Sequence, residues 1–424
     1  MNASSRAAFP RVAGHLHCEG VALEHIAREQ GTPVFVYSRA AIEDAYGRYA
    51  SALEGRDALV CYAMKANSSR AVLELLARRG AGFDIVSGGE LARALGAGAS
   101  PSRIVFSGVG KTQSEMEAAL RAGILAFHVE SADELETLAA VAARVARRAP
   151  VALRVNPDVD ALTHRYISTG KKANKFGVDI GAAPALYRRA AAHPWLEVIG
   201  VACHIGSQIT RIEPYVSAAE RVLDLVDELA RDGITLRQID LGGGLGIPYA
   251  GEDVPSPADL VQALLGCLDR RGRGTVRILL EPGRSIVGAA GALVARVLSV
   301  KAAGEKSFAI VDAAMNDLLR PALYEAWMEV VPVGPGAAKP VQVDVVGPVC
   351  ESGDWIARDR SLAVEAGDLL AVLDCGAYAM AMASNYNSRG RAAEVMVDGA
   401  TVHPVRRRET VEDLLALEMP LPPA

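Results

Sequence analysis

Apolar and polar positions along this chain switch between two periods. From about residue 58, short runs rich in Val, Ile, Leu and Phe alternate with longer Ala/Leu/Arg stretches. In the longer stretches apolar residues recur every three or four positions, as on one face of a helix. The short runs are 58–66, 82–87, 104–108, 125–130, 151–157, 198–206, 238–244 and 277–283, and 131–148 and 214–232 are the clearest helical stretches. Strands that alternate with helices imply right-handed βαβ units and a parallel sheet. Eight such units in roughly 230 residues predict a (β/α)8 barrel, although an open doubly wound sheet shares the periodicity.

After about residue 290 the pattern changes. Runs at 293–301, 308–312, 341–349, 369–374 and 394–397 read as strands, with few convincing helices between them. A separate β domain is expected. The run 32–38 (TPVFVYS) precedes the barrel and is assigned to the same β domain, which is therefore discontinuous. The expected boundaries are 39–285 for the barrel, with 1–38 and 286–424 for the β domain. The Gly/Pro-rich stretch 333–340 reads as that domain's most mobile loop.

Composition narrows the function classes. The chain has 424 residues, half of them hydrophobic and 22% charged, with a net charge of -5. Nucleic-acid binding is not expected, because phosphate contacts need clustered Lys and Arg, and the run Arg406 to Arg408 is short. None of the six cysteines forms a C-x-x-C pair, so neither a metal site nor a redox dithiol is predicted. Cys61 and Cys203 lie in apolar runs and read as buried thiols. The N-terminus lacks a signal peptide's apolar core, and no apolar run is long enough to span a bilayer. A cytoplasmic protein acting on a small molecule, with no membrane partner, is the expectation.

In a barrel, chemistry sits at the C-terminal strand ends. Read in order, those ends carry Lys65, Ser87, His128, Arg154, His204, Gly242–Gly244 and Glu281–Arg284. Lys65 closes VCYAMKAN; a partly desolvated lysine loses basicity and favours a Schiff base with a carbonyl. Gly242, Gly243 and Gly244 follow the seventh run, where barrels often bind phosphate. The eighth run ends Glu281-Pro282-Gly283-Arg284, placing a carboxylate beside a second glycine turn and an arginine. Each feature alone has a plain explanation: a lysine leaving a strand, a tight turn, a core histidine. Together they point to a phosphorylated carbonyl cofactor, pyridoxal 5'-phosphate (PLP).

The motifs YAMKAN, GFDIVSGGEL, ACHIGSQ, LGGGLGIPY and EPGRSIV resemble the fold-type III PLP-dependent decarboxylases. YISTG…NKFG, MNDLLRPALYEAW, GPVCESGDW and DCGAYAMAMASNYNSR resemble the diaminopimelate decarboxylase family within them. The resemblance runs from about residue 31 to 408. It implies an alanine racemase-like fold, a PLP-binding barrel joined to a β-sandwich or β-barrel domain, and decarboxylation of meso-2,6-diaminopimelate to L-lysine and CO2. It also implies the residue roles. Lys65 carries PLP, Glu281 pairs with its pyridinium nitrogen and His204 stacks on the ring. Ser207, Gly242–Gly244, Gly283, Arg284 and Tyr378 surround the phosphate, and Asp84 and Arg154 support Lys65 and Glu281. Arg284, Arg320, Tyr324 and Tyr378 bind the amino-acid substrate. Cys350, as proton donor, and Glu351 come from the partner subunit of a homodimer with shared active sites, with Asp354 a further candidate. A glutamate rather than an arginine on the pyridine nitrogen favours decarboxylation over racemisation.

Taken alone, Arg320 reads equally as a surface arginine and Cys350 as an inert thiol. His128 and Lys111 read as barrel-rim residues without a role, and Asn385, Tyr386 and Asn387 as a wall near Tyr378. Many family members carry histidine where this chain has Met328, read here as peripheral. Two other functions compete: a decarboxylase of the same fold acting on ornithine, arginine or a carboxylated polyamine such as carboxynorspermidine, and a non-catalytic PLP-binding relative.

Overall fold

A computed structural model of the chain describes residues 7–161, 175–304, 306–336 and 339–422. The YISTG segment, with Lys171, Lys172, Ala173 and Asn174, lies outside the described residues. The chain divides into two compact units, one of Glu43–Ile247 and Asp253–Ser285, the other of Met1–Ile42, Pro248–Glu252 and Ile286–Ala424.

The first unit is a closed barrel of eight parallel strands: Ala58–Ala63, Gly82–Ile85, Ile104–Phe106, Ala126–Val129, Ala149–Asn156, Leu196–Cys203, Gln238–Asp240 and Arg277–Leu280. They are numbered first to eighth below. The eighth pairs with the first through Ile278 and Ala58, and the fourth with the fifth through Phe127 and Val151, so the circle closes. All eight runs read as strands are strands; the open-sheet alternative is excluded by this closure. Each observed strand stops short of its predicted end, because the last residues turn out of the ladder to form the mouth.

Both faces of a barrel strand are covered, one by the interior and one by helices, which is why ALVCYA is buried almost throughout. The helices carry an apolar stripe inward: Arg70–Arg78 buries Val72, Leu73, Leu75 and Leu76. Several begin on a side-chain cap that accepts from otherwise unpaired backbone N–H groups. Ser87 caps Gly88–Gly96, Ser131 caps Ala132–Val145, and Thr112 and Ser256 form capping boxes with Glu115 and Asp259. Ser87, singled out as a strand-end residue, is therefore a helix cap.

Inside the barrel, Leu59, Cys61, Val105, Ala126, Ile199 and Leu279 form an apolar layer. Strand side chains repeat their direction every second residue. Two positions beyond Ala126 and Leu279 stand His128 and Glu281, so the polar layer follows from the apolar one by register.

The second unit is built on a nine-stranded sheet. Its long strand Gly291–Ala303 pairs antiparallel with Val34–Ser38, Leu369–Val372 and Lys306–Val311. Val34–Ser38 also pairs parallel with Ala393–Asp398, so the early run 32–38 does join this sheet. Trp355–Leu362 and Thr401–Arg406 are strands that the pattern did not reveal. Both end the sheet path and carry charged or exposed residues, so no apolar alternation marks them. No helix among the described residues is long and apolar enough to cross a membrane.

Candidate active site

Lys65 sits in the 3-10 turn Met64–Ala66, directly after the first barrel strand. Its Nζ donates to Asp84 Oδ2 at 2.7 Å. The Asp84 side chain is fully buried and that of Lys65 is 38% exposed, so the pair presents its amine from a dry anchor.

Glu281 follows the eighth strand and is buried. Its Oε1 makes no hydrogen bond among the described residues. It lies 3.5 Å from His128 Nδ1, while His128 Nε2 lies 3.8 Å from Asp240 Oδ2. Burial alone pushes the Glu281 carboxyl up, but His128, then Lys65 and Arg154, outweigh it and hold it below the usual carboxylate range. Asp240 moves the other way. Burial first, then the Glu281 charge, push it well above that range, against one backbone bond from Gly242 N–H at 2.8 Å. Two carboxylates this close cannot both ionise in a dry site; Asp240 takes the proton and Glu281 keeps the charge.

Arg154, on the fifth strand, is held by Glu130 at 3.1 Å and lies over the Phe176 ring. Glu130 also accepts from the backbone N–H groups of Gly108 and Gly177. It thus ties the fourth strand to two loops, a role not visible in the sequence. Lys111 is no rim residue: its fully buried amine bonds Gly108 O, His128 O and Glu134.

His204 follows the sixth strand. Burial, then the charges of Arg154 and Lys65, push its imidazole down to about 3. Gly243 N–H donates to its Nδ1 at 3.2 Å, which places the ring proton on Nε2. A neutral, oriented ring results.

The glycine turn also serves the protein itself. Two of its N–H groups donate within the chain, Gly242 to Asp240 and Gly243 to His204. A Cβ at Gly242, Gly243 or Gly244 would run into the backbone carbonyls of Cys203, Glu281 or Gly206 respectively. The three glycines are thus first a packing requirement where strand ends converge. Nearby, Arg284 Nη2 donates to Ser207 Oγ at 3.1 Å, and a Cβ at Gly283 would press on Ala63 and Ala66.

In the second unit, Arg320 opens the short helix Arg320–Tyr324 and is buried. Its guanidinium lies 4.1 Å from the Tyr249 ring centre, and Nη1 donates to Met328 Sδ at 3.2 Å. Met328 is therefore not peripheral: it is fully buried and braces Arg320. Asp374 is buried too, and neither carboxyl oxygen has a hydrogen-bond partner among the described residues. Burial pushes it up to about 7 against the pull of Arg320. Tyr324 is half-buried, as is Tyr378, which adopts a left-handed backbone at φ 54°.

Cys350 is the one exposed cysteine among the six. Its backbone N–H donates to Asn387 Oδ1 at 2.9 Å, and Tyr386 donates to Glu351 Oε2 at 3.1 Å. Asn387 and Tyr386 thus hold the Cys350–Glu351 loop. Asp354 accepts from Met315 and Val349 N–H at 2.6 and 2.7 Å, so it anchors this loop rather than reaching out of it. Asn385 bonds Arg389 O and Glu409.

The barrel mouth fits PLP. It offers an amine on a buried carboxylate, an ionised buried carboxylate with an oxygen lacking a donor, and a neutral imidazole. The family model described as "Pyridoxal-dependent decarboxylase, pyridoxal binding domain" matches residues 39–288. Diaminopimelate decarboxylase of Pseudomonas aeruginosa is 58% identical over 407 residues, covering 96% of this chain and 97% of the relative. That of Neisseria meningitidis serogroup A is 51% identical, covering 95% and 99%. The crystal structure of diaminopimelate decarboxylase from M. jannaschii in complex with L-lysine superposes with a TM-score of 0.95 at 38% identity, covering 99% of each chain. The chain belongs to the diaminopimelate decarboxylase family, pyridoxal 5'-phosphate-dependent carboxy-lyases.

Proposed function

We propose that this enzyme decarboxylates meso-2,6-diaminopimelate to L-lysine, the last step of lysine biosynthesis, in the cytoplasm. The observation that carries the reading is the barrel mouth itself, where Lys65 on Asp84 and the ionised Glu281 stand at the ends of neighbouring strands. When bound, PLP supplies an electron sink for the pair left on Cα as CO2 departs.

Lys65 Nζ would hold the cofactor through its carbonyl carbon, with the substrate amine as the group that would replace it there. Glu281 holds a proton at the pyridine nitrogen, which makes that ring a stronger acceptor of charge. His204, neutral and fixed by Gly243, would stack on the ring without adding a competing cation. Ser207 and Arg284 hold the phosphate, with the Gly242–Gly244 and Gly283 backbone allowing close approach, and Tyr378 adds a hydroxyl. Cys350 Sγ then delivers a proton to Cα.

Recognition of the distal end falls to Arg320, Tyr324, Arg284 and Glu351. That end of the substrate carries both a carboxylate and an ammonium, so a cation and an anion are both needed. Arg320→Ala is expected to raise KM with little change in kcat, a loss of about 1.5–3 kcal/mol for a charged hydrogen bond. Arg320→Lys keeps the charge but not the fork, and should recover only part of the loss. Steady-state kinetics on the meso isomer check both. An unchanged KM would favour a substrate without a distal α-carboxylate, such as ornithine or arginine.

The active unit is a homodimer, with Cys350 and Glu351 acting in the partner's site. The exposure of Cys350 on a loop held by Asn387 and Tyr386 supports this. Mixed Lys65→Ala and Cys350→Ala subunits, each inactive alone, should regain activity once re-associated. Up to one site in two of a heterodimer has both groups intact. No recovery in verified heterodimers would refute the sharing.

A further inference from the structure

His128 is used by none of the steps above, yet it stands between the two carboxyls of the barrel interior. We propose that His128 is a positioning residue that stands between Asp240 and Glu281 and holds the Glu281 carboxylate toward the cofactor's pyridine nitrogen. This rests on the reading of Glu281 as that nitrogen's partner.

The geometry is directional. His128 is 1% exposed, so its ring is not a solvent-facing base. Nδ1 faces Glu281 Oε1 at 3.5 Å and Ser107 Oγ at 3.1 Å; Nε2 faces Asp240 Oδ2 at 3.8 Å. Nε2 and Asp240 Oδ2 are too far apart for a hydrogen bond, so what His128 offers the negative Glu281 is an Nδ1–H at the edge of hydrogen-bond range. Asp240 in turn holds Gly242 N–H, so the network is tied to the glycine turn. The three side chains are of metal-ligating type and lie within 4.8 Å of one another. Their N···O approaches of 3.5 and 3.8 Å are polar contacts rather than hydrogen bonds, and in the reading above Glu281 is reserved for the cofactor's ring nitrogen.

The other groups around Glu281 set the sign. Lys65 from the first strand and Arg154 from the fifth favour its anion, as His128 does. The charge of Asp84, with that of Glu281, helps keep the proton on Asp240. The thiols of Cys61 and Cys203 are pushed up by burial and by these carboxylates, Cys203 to about 12, and stay neutral. Protonated Asp240 also bonds Glu281, but the strongest pull on the Glu281 charge is that of His128. Its removal shifts the Glu281 midpoint upward, so the carboxylate is lost at a higher pH than in the wild type.

The test uses PLP-loaded enzyme and two readouts: the pH dependence of the cofactor absorbance without substrate, and the acid limb of kcat. In His128→Leu both midpoints should rise together by about one pH unit. His128→Asn, whose amide nitrogen replaces Nδ1, should return both toward wild type. If His128→Leu fails to fold, His128→Gln serves, because its amide reaches the Nε2 side instead. Gln is then expected to shift the midpoints and Asn not. Unchanged midpoints in a folded Leu variant, even with lowered thermal stability, would make His128 a core residue only; so would equal midpoints in Asn and Gln. A wild-type enzyme without a cofactor band or turnover would instead sink the functional reading itself.

Discussion

Lys65→Ala is expected to lower kcat/KM by at least about 10⁴-fold, the upper range for a group that both forms a covalent link and moves a proton. The cofactor's lysine-linked absorbance band should vanish with it. Alanine also strips the partner from fully buried Asp84, so part of any loss reflects stability. Lys65→Arg separates the two effects. It retains a cation beside Asp84 and should keep the thermal midpoint near wild type. Lacking a nucleophilic amine, it should be as inactive as the alanine variant. An active Lys65→Arg enzyme would remove Lys65 from the chemistry.

Glu281→Gln comes next in size. Glutamine preserves shape but cannot balance a positive pyridine ring, and the loss is felt where charge develops in the transition state. A fall in kcat of about 10²–10³-fold with a modest change in KM is expected, as for removal of other preorganised electrostatic partners. The neutral variant should also release Asp240, whose high proton affinity depends partly on the Glu281 charge. Asp240 then titrates lower, and the pH dependence of the absorbance changes shape. Stopped-flow decay of the substrate-bound band across pH measures both.

Both effects trace to residues legible in the sequence as strand-end positions. The barrel strands were readable because they are mostly apolar on both faces and alternate with helices of period 3.6. The edge strands Trp355–Leu362 and Thr401–Arg406 were not, since exposed residues fall on both of their faces and leave no alternation. In the site, Lys65, Glu281 and His204 could be named, but not what holds them. Asp240 hides inside the apolar run RQIDL, and its partners lie on strands far away in the chain. His128 reads as a rim residue because a single histidine near a strand end reveals nothing of its depth. The register from Ala126, two residues before it, was the available signal. Met328 looked peripheral for the same reason, since its contact with Arg320 depends on how a five-residue helix turns back. The bonds from Asn387 and Tyr386 to the Cys350–Glu351 loop span 37 and 35 residues and leave no local trace.

The most direct test of the central claim is the product formed from meso-2,6-diaminopimelate by purified enzyme with saturating PLP. L-lysine and CO2 in equal amounts, with ornithine and arginine turned over far more slowly, are the predicted result. Preference for ornithine or arginine, or no release of CO2 from the meso isomer by PLP-loaded protein, would contradict it.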